Sequence, residues 1–358
     1  MSDILHLVRP QVLAMQPYLP PESEEGIRLN ANESAWRSEA DISIRGLNRY
    51  PDPYPETISA RLARMYGVDA GQLALTRGSD EAIDLLLRLF CREGVDSIVI
   101  CPPTFGMYRV YAQVQGAAVI EVPLEQDQGF GLDPGKLLAA CEENTKLVFL
   151  CSPNNPTGQL LDEAAVFEVC RGLLGRAVVV VDEAYVEFAD RASLIDSLEA
   201  WPNLVILRTL SKAYGLAGAR LGALISSVEI TDLFKRVVPP YALSTPVLEA
   251  GDALLCPAEL QELEQRIKQI SQLRDGMARE LEGLKVVRKV WPSDANFILI
   301  SVDDAAAVDA AFARAGILIR SFSREPGLEN CLRITVGTPE QNAAVMAVLS
   351  EQNNGGAG

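Results

Sequence analysis

The sequence predicts an α/β fold: a mostly parallel sheet flanked by helices, with a smaller α+β unit after it. Three observations carry this. Segments such as Lys146–Cys151 and Ala177–Val181 are apolar at consecutive positions, as strands covered on both faces must be. They alternate with amphipathic segments of helical period. After residue 240 the alternation ends and long helices precede clustered strands.

The elements follow in order. Residues 1–44 read as an irregular arm punctuated by Pro10, Pro17, Pro20 and Pro21, followed by Leu29–Glu33 (LNANE). Asn48–Pro55 is extended, because residues before proline avoid the α region. Glu56–Tyr66 is a helix ending at Gly67. Ser79–Cys91 is a second, with Ser79 as N-cap, Asp80 and Glu81 in the first turn, and a stripe of Ile83, Leu86, Leu87 and Phe90. Ser97–Cys101 is a strand, Thr104–Gln115 a helix and Ala117–Val122 a strand. Asp133 caps a helix that begins at Pro134 and runs to about Glu143. The strand Lys146–Cys151 enters the turn Ser152–Gly158, and Asp162–Leu174 is a helix. Strands Ala177–Val181, Leu204–Leu207 and Leu221–Ser226 complete this part, taken as residues 45–240. Residues 241–358 hold helices Thr245–Leu255, Ala258–Leu281, Asp304–Ala315 and Pro339–Leu349. They also hold strands near Val286–Val290, Asn296–Ile300, Ile317–Arg320 and Cys331–Val336, with a frayed tail from Asn353.

Composition excludes whole classes of function. The 358 residues carry 32 Lys+Arg against 48 Asp+Glu, a formal charge of −16, with no basic run to meet a nucleic acid. The single histidine, His6, has no metal or triad spacing near it, so proton transfer falls to Lys, Tyr, Asp/Glu or a cofactor. The seven scattered cysteines form no CxxC, which fits reduced thiols in the cytoplasm. No apolar run is long enough to span a membrane. A chain of this length should fold to roughly 14,000 Å² of surface.

Ligands of such sheets bind beyond the carboxyl ends of the strands. Four positions stand there: Asn155 in SPNNPTG, Asp182 in VVVVDEAY with Tyr185 after it, Lys212 in RTLSKAYGLAGAR with Arg220 after it, and Arg333 in CLRITVG. Each alone also reads as ordinary structure: a turn, a cap, a solvated lysine, a paired arginine. One chemistry uses them all. Pyridoxal phosphate needs a lysine for the Schiff base (Lys212) and an acid at the pyridine nitrogen (Asp182). It also needs donors to the phenolate oxygen (Asn155 and Tyr185) and a phosphate site (Thr209, Ser211, Arg220 and the helix start at Ser79).

On these motifs the chain resembles the aspartate-aminotransferase superfamily, the pyridoxal-phosphate-dependent transferases of fold type I. The matching marks are Asn155–Gly158 (NPTG), Asp182–Tyr185 (DEAY), Ser211–Arg220 and Arg333. The strings LNANE (29–33), NRYPD (48–52), RGSDEAIDLL (77–86), CPPTFGMY (101–108), CSPNNPTGQL (151–160) and YALSTP (241–246) resemble the histidinol-phosphate aminotransferase family within it. The resemblance implies a large cofactor domain over 45–240, a small domain over 241–358, and an arm over 1–44 that joins the small domain and a dimer interface. It implies phosphate contacts from Ser79 and Asp80 through backbone N–H groups, ring stacking by Phe105, and a contact of Tyr50 with the cofactor phosphate of a neighbouring subunit in a homodimer. It implies substrate contacts from Tyr18, Asn32, Asn155, Arg320 and Arg333. Tyr18 and Tyr50 also fit ordinary packing, and Arg320 a surface ion pair. The implied reaction moves an amino group between L-histidinol phosphate and 2-oxoglutarate, with glutamate as the other donor, in the cytoplasm. Transamination of aromatic amino acids and decarboxylation of threonine phosphate stay open, since the same cofactor shell serves them. No metal, nucleic acid or membrane enters this reading.

Overall fold

The computed structural model of the chain describes residues 4–16, 18 and 27–355. Pro17, Pro20 and Pro21, read above as punctuating the arm, lie outside them, as do residues 356–358 of the tail.

In chain order the elements are α1 (Pro10–Leu13), α2 (Glu56–Tyr66), β1 (Leu73–Thr76), α3 (Gly78–Phe90), β2 (Ser97–Ile100), α4 (Met107–Gln115) and β3 (Ala118–Glu121). Then come α5 (Pro134–Ala140), β4 (Thr145–Cys151), α6 (Glu163–Gly172), β5 (Val178–Asp182), β6 (Leu204–Thr209), β7 (Gly222–Ser226) and α7 (Val228–Lys235). The remainder is α8 (Thr245–Leu254), α9 (Pro257–Glu282), β8 (Val287–Val290), β9 (Phe297–Val302), α10 (Ala305–Arg314), β10 (Arg320–Ser321), β11 (Cys331–Thr335) and α11 (Pro339–Gly355).

Seven strands form one sheet in the order β1-β7-β6-β5-β4-β2-β3, and β7 alone runs against the others. The run of valines in β5 explains its place at the centre. Val179 and Val181 enter the core on one face, Val178 and Val180 that on the other, and all four are fully buried. The predicted stripe of α3 (Ile83, Leu86, Leu87, Phe90) packs on the second face. A four-stranded antiparallel sheet, β10-β11-β9-β8, forms the smaller unit with α9, α10 and α11 around its own core.

The structure departs from the sequence reading at several places. The arm is not irregular throughout: a 3-10 turn (Leu5–Leu7) and α1 bury Ile4, Leu7, Val8 and Val12 against the α3 face of the large sheet. Ser79 is not an N-cap. Helix α3 begins at Gly78, and the Arg77 N–H is taken by Glu81 Oε2 at 2.7 Å. Two elements are additional. Strand β1 has only four residues and gains its register from β7; α7 starts at the Ser227 cap and buries Ile230, Leu233 and Phe234. The helix read from Thr104 begins at Met107, and α5 ends at Ala140 because Cys141 is already extended. The Ile317–Arg320 strand shrinks to Arg320–Ser321, which pairs only with β11. Helix α11 continues past Leu349 to Gly355, where a frayed tail was expected.

One close approach positions the site. Gly222 of β7 pairs with Thr76 of β1 and Thr209 of β6, and the start of α3 lies directly on it. A Cβ on Gly222 would come 2.8 Å from both the Gly78 carbonyl carbon and the Arg208 carbonyl oxygen. Both are backbone atoms and cannot swing aside. Gly222→Ala should therefore destabilise the chain by about 2 kcal/mol or more in urea unfolding. A wild-type midpoint would show that α3 does not need this seat.

Candidate active site

The parallel strands β4, β5 and β6 end side by side, with Cys151 in register with Asp182 and Asp182 with Leu207. The turns leaving these ends form one pocket with the start of α3. Its walls include Ser79, Asp80, Phe105, Asn155, Asp182, Tyr185, Thr209, Ser211, Lys212 and Arg220. Ten of the residues singled out in the sequence thus converge. Two hollows of about 750 Å³ lie elsewhere, and neither gathers a comparable set of reactive groups.

Each side chain has a distinct environment. Asp182 is buried, and burial pushes its carboxyl up to about 6. Tyr108 Oη donates to Asp182 Oδ2 at 2.9 Å and the Ala184 N–H to Oδ1 at 3.2 Å, which oppose that shift. Lys212 stands at the pocket mouth, its ammonium 5.7 Å from the Tyr185 ring centre. Desolvation by the surrounding protein lowers its pKa first, Arg333 and Arg220 add to this, and Asp80 opposes it. A lysine so placed gives up its proton more readily than one in water. Asn155 Nδ2 donates to Tyr185 Oη at 3.4 Å, leaving the Tyr185 proton free to be donated onward.

At the other end of the pocket Thr209 Oγ1 donates to Ser211 Oγ at 2.9 Å, and Arg220 Nη1 reaches the same Ser211 oxygen at 3.3 Å. Arg220 also pairs with Asp80 at 2.7 Å. Its backbone is held at φ +56°, a left-handed conformation costly for a residue with a Cβ. The guanidinium lies against Gly78, where a Cβ would come 2.9 Å from Nη2. Hydroxyls, a guanidinium and the N–H groups of a helix start make an anion site.

Arg333 is half-buried on β11. It donates to Asn155 Oδ1 and lies 5.1 Å from the Phe297 ring centre. Arg320 is its cross-strand partner on β10. Among the described residues neither arginine has a carboxylate within ion-pair distance. Arg320 is exposed, and the surface ion pair left open above is not formed with any described residue.

Four predicted residues are not brought to this pocket: Arg320, Tyr18, Tyr50 and Asn32. Tyr18 and Tyr50 cluster with Tyr241: Tyr50 stacks on it at 4.8 Å and Tyr18 meets it edge-on at 5.9 Å. Both are about half exposed. Asn32 is exposed in the left-handed region at φ +55°. Conversely, Tyr108 and Cys151 were quoted only within motifs, yet both adjoin Asp182. Tyr108 could have been noticed from its place one helical turn after Phe105.

A carboxyl held near 6 has a defined effect on stability. Folded Asp182 keeps its proton to about pH 6, whereas an unfolded one loses it near pH 4. Stability therefore falls as pH rises through that window, and the full cost stands at neutral pH. Asp182→Asn should stabilise the ligand-free chain by about 2–3 kcal/mol at neutral pH and hardly at all near pH 4. Urea unfolding at the two pH values checks this; equal effects at both would show that ionisation is not the cause.

Comparison with known proteins places the chain among relatives. Residues 26–349 match the family model described as "Aminotransferase class I and II". The histidinol-phosphate aminotransferase of Xylella fastidiosa (strain 9a5c) is 43% identical over 353 residues, covering 97% of this chain and 96% of that one. The crystal structure of histidinol-phosphate aminotransferase from Sinorhizobium meliloti in complex with pyridoxal-5'-phosphate superposes with a TM-score of 0.76 at 28% identity, covering 86% of this chain and 84% of that one. The L-threonine-O-3-phosphate decarboxylase of Porphyromonas gingivalis reaches 0.74 at 24% identity over 86% and 91%, so it shares the fold.

Proposed function

Because the chain belongs to the aminotransferase class I and II family, whose members depend on pyridoxal phosphate, we propose that it is a histidinol-phosphate aminotransferase. It moves an amino group between L-histidinol phosphate and 2-oxoglutarate. One observation carries the reading: a lysine of lowered pKa, a buried carboxylate, a paired amide and phenol, and an anion site share one pocket with Arg333 bound to its edge. The donor set fits the cofactor, and the Thr209 and Ser211 hydroxyls with the Arg220 guanidinium, seated against Gly78 at the start of α3, suit its phosphate.

When bound, the cofactor supplies a carbonyl carbon that accepts the amino group and a ring that draws electrons from the substrate Cα. Lys212 would hold the cofactor's carbonyl end, and its Nζ would take and return the substrate proton. Asp182 would face the ring nitrogen and keep a proton there. Asn155 and Tyr185 would donate to the phenolate oxygen, and Phe105 would pack on the ring. Thr209, Ser211, Arg220 and the backbone of Ser79 and Asp80 would hold the phosphate. Arg333, with Arg320 beside it, takes the substrate's anionic end. A planar guanidinium binds carboxylate and phosphate alike, as two alternating substrates demand.

We further propose a homodimer in the cytoplasm, with residues 45–240 as the cofactor domain, 241–358 as the small domain and the arm at the dimer interface. Ile27, Leu29, Trp36, Ile42 and Ile44 are each more than four-fifths exposed in the single chain. Its surface of 17,655 Å² is about a quarter more than a compact monomer of this length presents. Tyr50 extends from this segment, consistent with a reach into a neighbour's phosphate site. All seven cysteines are free, as a reducing compartment requires.

Lys212→Ala should abolish transamination and the visible absorbance of the loaded protein; retention of both would overturn the assignment. Assayed side by side, histidinol phosphate should outrun phenylalanine and threonine phosphate, and Arg333→Ala should lower kcat/KM for both histidinol phosphate and 2-oxoglutarate about a hundredfold. Preference for either competitor would move the protein to a sister activity. Trp36→Asp should shift sedimentation from dimer to monomer, and a wild-type monomer would sink the dimer.

A further inference from the structure

We propose that Tyr108 is a positioning residue of this reaction, its buried hydroxyl aiming the Asp182 carboxylate at the cofactor's ring nitrogen. The inference rests on the cofactor orientation put forward above.

Tyr108 sits in the first turn of α4 and is fully buried. Its ring stacks on Phe149 of β4 at 4.9 Å and 13°, and meets Phe105 edge-on at 5.5 Å and 83°. Packing therefore sets the direction of its hydroxyl. That hydroxyl donates to Asp182 Oδ2 at 2.9 Å, while Oδ1 receives the Ala184 N–H at 3.2 Å. One donor on each oxygen fixes the plane of the carboxylate. With only the amide, the group would be free to turn about its terminal torsion, which is broad for a carboxylate.

Phenylalanine would fill the same apolar space, so packing alone gives no reason for a hydroxyl here. A buried hydroxyl is costly without a partner; Asp182 accepts from it, and the Cys151 thiol also interacts with it. The groups facing Asp182 are Tyr108 on α4, Cys151 at the end of β4, Asp80 at the start of α3, Tyr185 after β5, and Lys212 beyond β6. Lys212 favours the charged carboxylate and Asp80 opposes it. Cys151 and Tyr185 are themselves held neutral by burial. Tyr108 stays a donor, since burial raises its own pKa well above the ordinary value. Its hydrogen bond thus keeps Asp182 ionised as well as oriented.

The test is titration of cofactor-free protein with pyridoxal phosphate, followed by protein fluorescence from about pH 5 to 9. The proteins are wild type, Tyr108→Phe, Asp182→Asn and the double variant. Tyr108→Phe should weaken binding about tenfold or more at neutral pH and raise the pH midpoint of binding by about one unit. Its thermal midpoint without cofactor should fall by only about two degrees at neutral pH, the cost of Asp182 losing one donor, and in the Asp182→Asn background it should add nothing to the loss of binding. Wild-type affinity and midpoint in Tyr108→Phe, or an equal loss in both backgrounds, would overturn the proposal. If Asp182→Asn itself binds like wild type, the cofactor orientation fails and this inference with it.

Discussion

The site depends on one costly placement: a carboxylate, Asp182, at the buried end of a central strand. The strand must be apolar on both faces to reach that position, which is why β5 is a run of valines shared between two cores. Burial raises the pKa of Asp182, and two hydrogen bonds recover part of the lost solvation. The neighbouring strands must end level with it, because Cys151 and Thr209 launch the turns that carry Asn155 and Lys212. Packing of the core thereby sets the spacing of the reactive groups.

A second tension is electrostatic. The chain carries a formal charge of −16, yet its cofactor and proposed substrates are anions. Screening at physiological ionic strength confines each charge to about 8 Å, so distant carboxylates weigh little against arginines at the site. Their pairing differs. Arg220 already holds Asp80, so an arriving phosphate shares or displaces that carboxylate. Arg333 and Arg320, adjacent across two antiparallel strands, have no carboxylate within ion-pair distance among the described residues. Burial and mutual repulsion lower the pKa of Arg333, which favours an anion that relieves both.

The smaller unit is tied to the pocket as well as lying beside it. Asp294 accepts the Leu160 N–H at 2.9 Å and donates its own N–H to the Gly158 carbonyl at 2.7 Å, holding the turn that bears Asn155. Arg274 of α9, nearly buried, donates from Nη1 to the Phe188 and Ala295 carbonyls, holding the turn that follows Tyr185. Arg333 reaches Asn155 from the same side. A shift of the smaller sheet would thus move both proposed phenolate donors together.

The sequence by itself determined the fold class, the order of the strands along the chain and ten residues of the pocket. Strand burial and post-strand polarity are local signals, and the motif spacings are read directly. It missed β1 and treated the arm as irregular, because those features depend on partners far along the chain: β7 for β1 and the α3 face for Ile4 to Val12. The start of α7 at the Ser227 cap and the bond from the Arg77 N–H to Glu81, four residues on, are local, but polar residues of these types recur along the chain and do not by themselves mark which one caps. Only the tertiary structure decided that Tyr108 meets Asp182 across 74 residues and that Arg333 meets Asn155 across 178. It also decided that Tyr18, Asn32 and Tyr50 stand apart from the pocket of their own chain. Periodicity says which face of an element is apolar; which side chains then touch is set by strand order and packing, which no local pattern encodes.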